Sequence, residues 1–160
     1  MNAKYFKILN SNLVMQGFQY HLGENQCNEV VESNTKTGLY ITDGENICSY
    51  LSFGDKIAIV TIPYHAKIYK ESKQIRTDKV YILEILDLLN LETWKRLISE
   101  GVNIHAEYDY ALRWYAKCGR LDLVKFLVDN GADPHAANNL ALRFAKEENH
   151  KEVVDYLQNK

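Results

Sequence analysis

The stretch YALRWYAKCGRLDLVKFLVDNGAD, residues 110–133, returns 30 residues later as LALRFAKEENHKEVVDYLQ, residues 140–158. Leu127 falls on Leu157, Val124 on Val154 and Arg120 on His150. The same offset applied backwards sets Leu97 on Leu127, Gly101 on Gly131, Asn103 on Asp133, His105 on His135 and Ala106 on Ala136. A fixed period of this length marks stacked supersecondary units, whereas an ordinary helical bundle needs no such offset. Each period predicts two short helices, the first near 109–117 and 139–147, the second near 121–129 and 151–158. Leu123, Val124, Leu127 and Val128 recur at helical spacing on one face, as do Val153, Val154 and Leu157 one unit later. Ala111, Ala116, Ala141 and Ala145 let neighbouring first helices approach closely. Gly119 closes the turn between paired helices, and Asn149, the next residue most tolerant of positive φ, replaces it in the last unit. So small a helix pair cannot bury its own apolar stripe, and stacked copies cover one another.

These segments resemble the ankyrin repeat family. They match its Ala-rich first helix, its turn, its Val-Val-containing second helix and its closing Gly-Ala-Asp. Arg113 and Arg143 stand where the family usually has histidine, and Tyr110-Ala111 and Leu140-Ala141 replace Thr-Pro. The unit is 30 residues long where about 33 are customary. The shortening falls in the hairpin between units, which is expected to be stunted and low in β character. Two full units follow a half unit that supplies Leu89, Leu91, Trp94, Leu97 and Ile98. At least about three stacked units are normally needed for stability, so the first apolar stripe is expected to be covered by the preceding domain.

Residues 1–86 have a different texture. Short β-rich runs alternate with turn residues, and helical periodicity is weak. Strands are expected at 38–42, 56–62, 67–71 and 79–85, with a short helix or turn over 46–53. The segments QGFQY (16–20), GLYITD (38–43), IPYHAKIYKE (62–71) and DKVYIL (78–83) are similar to a domain that precedes shortened ankyrin units in proteins of mimivirus-like giant DNA viruses of amoebae. The expected fold class is therefore α+β. A small β-rich N-terminal domain, residues 1–86, would pack on a truncated ankyrin-type helical stack, residues 87–160.

Composition narrows the function. Net charge is −2, with 9 basic and 8 acidic residues over 1–79 and 10 basic and 13 acidic over 80–160. Neither half has the positive field of a nucleic-acid binder, so no nucleic-acid partner is expected. No 18-residue apolar run and no secretory leader are evident, so no membrane role is expected. Cys27, Cys48 and Cys118 show no disulfide or metal-ligand spacing, and His21, His65, His105, His135 and His150 form no zinc pattern with them. Gly-rich phosphate loops are missing. No catalytic residue, metal or cofactor is assigned, and enzymatic activity is not the favoured reading.

The favoured reading is a protein-interaction module that docks non-covalently through its ankyrin face. The expected contact residues are Tyr108, Tyr110, Arg113, Lys117, Asn139, Arg143 and Lys146, since first helices and adjoining turns form the exposed face of such stacks. Arg113 and Arg143 could instead tie turns together through backbone carbonyls or Asp133. His105 and His135 are expected at the inter-unit turns. The alternative is an N-terminal enzyme or small-ligand domain positioned by the repeats, with His21, Tyr40 and His65 as a possible ligand cleft. The unpaired cysteines and the lack of an evident leader make the cytoplasm or nucleus the expected location, and the resemblance implies a protein partner there in an infected host cell.

Overall fold

The computed structural model describes residues 4–28, 31–32 and 36–160. They divide into two compact units, Met1–Leu88 and Leu89–Lys160.

The first unit is β-rich. Its elements are β1 (Tyr5–Leu9), β2 (Val14–Met15), β3 (Phe18–Gln19), β4 (Gly23–Gln26), β5 (Leu39–Ile41), a 3-10 helix (Ile47–Phe53), β6 (Lys56–Thr61), β7 (Ile68–Lys70), β8 (Ile75–Thr77) and β9 (Lys79–Asp87). An antiparallel sheet has the order β1-β6-β9-β4, a second has the order β5-β8-β7, and β2 and β3 form a hairpin. Strands β5, β6, β7 and β9 lie in the expected segments. Strands β1, β4 and β8 and the β2–β3 hairpin carry weaker signals. In β1 the run Phe6–Leu9 is buried on both faces, so it shows no apolar-polar alternation. Strand β4 is Gly-Glu-Asn-Gln, a polar edge made a strand only by pairing with β9. Its Asn25 is buried and braces the preceding turn, donating from Nδ2 to the carbonyls of His21 (2.7 Å) and Gly23 (3.0 Å).

Ala58, Val60, Val80 and Ile82 from the first sheet enclose a core with Leu9, Tyr20, Leu39 and Ile41. On the other face of β1 and β6, Phe6 and Ile8 lie beside Ile59 and Ile57, and the 3-10 helix packs against β1. Gly54 ends that helix, and a Cβ there would lie 2.0 Å from the Leu9 carbonyl oxygen, so no larger residue fits.

The second unit is helical: α1 (Leu91–Ser99), α2 (Ala106–Lys117), α3 (Leu121–Asp129), α4 (Ala136–Glu147) and α5 (Lys151–Gln158). Asn90 caps α1, its side-chain oxygen accepting from the Glu92 N–H at 2.9 Å. The second helices stack α1 on α3 on α5, and the first helices stack α2 on α4. Leu97, Leu127 and Leu157 form the expected ladder, each at most 3% exposed. Ala111, Ala116, Ala141 and Ala145 are buried where helices meet. The segments between units, 100–105 and 130–135, contain no strand, which agrees with a stunted hairpin.

Polar joints repeat with the period. Arg120 donates to the Leu89 carbonyl at 2.7 Å, and its equivalent His150 meets the Lys117 carbonyl through Nε2 at 2.9 Å. Each therefore reaches back to the turn of the preceding unit. Gly119 has φ +71°, and a Cβ there would lie 2.5 Å from the His150 ring. Asn149, in the matching place, has φ 61°. The Trp94 indole donates to the Tyr115 hydroxyl at 3.2 Å, with the rings edge to face.

Candidate functional site

The outer end of each first helix is built from an uncommon backbone. Glu107, Tyr108 and Asp109 have φ of 54°, 57° and 57°, and Ala137, Asn138 and Asn139 repeat this with 52°, 59° and 57°. Three successive non-glycine residues in the left-handed region cost on the order of 1–2 kcal/mol each. Side chains hold the turn in place. The amide of His105 donates to the Asn103 side-chain oxygen (2.9 Å), and that of His135 to Asp133 (2.8 Å). Each imidazole then turns Nδ1 toward an oxygen four residues on, Asp109 at 2.7 Å and Asn139 at 2.6 Å. The acceptor-only carboxylate of Asp109 requires Nδ1 of His105 to carry a hydrogen. The recurrence of His105 and His135 is thus explained by the turn that each one locks.

Asp109 does a second job. Its side chain is largely buried, and Oδ2 accepts the backbone N–H of Asp133 in the next unit at 3.2 Å. One carboxylate therefore closes its own turn and ties on the neighbour. Arginine was the residue expected to tie successive turns, through backbone carbonyls or Asp133. Arg113 instead donates to the Glu107 carbonyl within its own unit, and the amide of Asp133 is the donor to Asp109. The only advance signal for Asp109 was its place four residues after a recurring histidine.

The left-handed turn throws Tyr108 outward, where it is 77% exposed. Beside it the Tyr110 and Trp114 rings stack with centroids 6.5 Å apart and planes 11° from parallel, and the Arg113 guanidinium lies 5.2 Å from the Tyr110 centroid. Lys117 is exposed and reaches the Phe144 ring of the next unit at 5.7 Å. Trp114 and Phe144 are half-buried. Arg143 and Asn139 are exposed on α4. Lys146 is exposed too, but it holds the register of the fully buried Ala116 and so flanks the stripe formed by Tyr110, Arg113, Trp114 and Lys117.

Of the three residues expected to share an N-terminal cleft, His21 and Tyr40 border different clefts and His65 lines neither. His21 is exposed beside the β4 turn, with Nδ1 2.9 Å from the Leu22 carbonyl. His65 is exposed next to Tyr64, with ring centroids 6.1 Å apart. Tyr40 alone of the three lines a cleft of about 280 Å³, together with Lys7, Met15, Ile47, Tyr50 and Phe53. Among the described residues, no three His, Cys, Asp or Glu side chains gather as metal ligands, and no helix is long and apolar enough to cross a membrane. The three cysteines are free thiols.

Comparison with known proteins agrees with this architecture. The family model for ankyrin repeats in three copies matches residues 86–160. An ankyrin repeat protein of Acanthamoeba polyphaga mimivirus is 34% identical over 143 residues, covering 84% of this chain and 43% of that protein. A second from the same virus is 30% identical over 165 residues, covering 96% of this chain and 81% of its own length. An uncharacterized protein of that virus is 30% identical over 135 residues, covering 75% of this chain and 94% of its own. The chain thus spans less than half of the first relative and most of the other two. No solved structure matches.

Proposed function

Given that the chain belongs to the ankyrin repeat family, we propose that it docks a protein partner non-covalently through the stripe formed by Tyr108, Tyr110, Arg113 and Lys117, continued by Asn139 and Arg143. The ankyrin fold generally mediates protein–protein interactions. The observation that carries the reading is Tyr108, held 77% exposed on a turn locked by His105 and Asp109. An exposed aromatic on a fixed backbone loses little entropy on binding, and the neighbouring arginine adds a fork of donors. Aromatics and arginine are the residues that most often dominate binding energy at protein interfaces.

The partner is a protein, with neither nucleic acid nor membrane as target, met in the cytoplasm or nucleus of an infected host cell. Lys146 contributes at the margin of the stripe. The test is affinity capture from infected-cell lysate by the wild-type chain and by the Tyr108→Ala/Arg113→Ala double variant, with both checked for equal melting. A specific protein retained by the wild type and lost by the variant supports the reading. Identical capture by both would remove the stripe from consideration.

A further inference from the structure

Strand β1 is bridged to Thr42, the residue after β5, where Phe6 and Thr42 exchange backbone hydrogen bonds of 2.7 and 2.9 Å. The Tyr40 carbonyl, two residues before Thr42, accepts instead from the Lys7 ammonium at 2.8 Å. The cleft of about 280 Å³ lies along these strands, bordered by the β2–β3 turn and the 3-10 helix. Its size sits near the lower end of small-molecule sites, roughly 300–1,000 Å³. Met15, Ile47, Tyr50 and Phe53 supply apolar and aromatic walls. The Tyr50 and Phe53 rings stack 6.1 Å apart, with Tyr50 half-buried and Phe53 58% exposed.

Lys7 is the unusual member. It is 6% exposed, in the middle of a strand buried on both faces. Among the described residues its ammonium meets, besides the Tyr40 carbonyl, the Tyr20 ring alone, 4.7 Å to the centroid, and no carboxylate pairs with it. An ammonium carries three N–H donors, so one carbonyl and one ring face leave it under-satisfied and without a counter-ion. Burial lowers its pKa to about 8, which still leaves it cationic at neutral pH.

We propose that this cleft binds a small anionic amphiphile, a carboxylate on a compact apolar body, with the carboxylate paired to Lys7 and the body against Met15, Ile47, Tyr50 and Phe53. A carboxylate accepts the spare N–H donors and supplies the missing counter-charge, while the apolar body covers the exposed Phe53 ring. Tyr40 acts as a positioning residue through its backbone, since its carbonyl accepts from the Lys7 amine and both residues line the cleft. This site is independent of the ankyrin stripe.

The experiment uses the full chain, with octanoate as probe and octan-1-ol as its uncharged counterpart. Binding is followed by titration calorimetry and by NMR shifts assigned to Lys7, Met15 and Tyr50. Octanoate should bind with shifts centred on those residues, and at least about tenfold tighter than octanol, the worth of one charge-assisted hydrogen bond. Lys7→Met should erase that preference while leaving octanol binding in place. The proposal is overturned if octanoate fails to bind at millimolar concentration, if it shows no advantage over octanol, if Lys7→Met leaves its affinity unchanged, or if the wild-type shifts map elsewhere.

Discussion

At Lys7 a charge is carried into a β core, and the physical cost is calculable. Burial takes its pKa from 10.5 to about 8. At about 1.4 kcal/mol per unit, that difference corresponds to roughly 3 kcal/mol of lost stability wherever both folded and unfolded chains hold the proton. Methionine has similar length and no charge, but it leaves the Tyr40 carbonyl without its donor, which returns on the order of 1 kcal/mol. Lys7→Met is therefore expected to raise stability by about 1–2 kcal/mol at pH 7, read as a higher denaturant midpoint at unchanged slope. A lower midpoint would show that the amine is better solvated than its burial indicates. Nothing in the run Tyr5-Phe6-Lys7-Ile8-Leu9 announces this, because a lysine among apolar residues in sequence ordinarily points outward. Only strand pairing with distant β6 turns it inside.

Among the elements, the left-handed turns at 107–109 and 137–139 form a natural internal comparison. Asp109 receives both the His105 imidazole and the amide of the following unit, whereas the Asn139 side chain receives His135 alone among the described residues. Asp109→Ala should cost about 2–3 kcal/mol, because it orphans a part-buried backbone N–H as well as an imidazole. Asn139→Ala should cost about 1 kcal/mol. Chemical denaturation of the two variants side by side measures the difference, and equal costs would mean that the inter-unit bond contributes nothing. The helices themselves were legible because Leu97, Leu127 and Leu157 keep one period and one face. The recurrence of His105 and His135 was legible too, but their acceptors were not. Asp109, Asn138 and Asn139 are of types that tolerate positive φ, but Glu107, Tyr108 and Ala137 are not, so the left-handed runs carry no consistent compositional signal. The cleft was illegible for a further reason. Its walls come from β1, the β2–β3 turn, β5 and the 3-10 helix, and only tertiary pairing brings these together. Of the three residues expected there, only Tyr40 lines it.

For the molecule as a whole, three buried groups shape stability in alkali. Lys7 holds its proton less firmly when folded, so its contribution raises stability as pH climbs from about 8 to 10.5. Burial pushes the Cys48 thiol up to about 12 from 9.0, so the unfolded chain ionises first and stability falls above pH 9. Burial also raises the Tyr20 phenol from its ordinary 10.0, which adds a further decline above pH 10. Stability is therefore expected to rise between pH 8 and 9, level off to about pH 10, and then drop. Denaturant midpoints across that range check the profile, and in Lys7→Met the initial rise should vanish. A monotonic fall from pH 8 in the wild type would contradict the interior placement of the amine. The joints of the helical half have a consequence at the level of the gene. Asp109 to Asp133, Arg120 to Leu89 and His150 to Lys117 each link a unit only to its immediate neighbour. A coding block for thirty residues, copied in tandem, would carry its own fastenings with it, and no residue outside the copied block would need to change for the lengthened array to close.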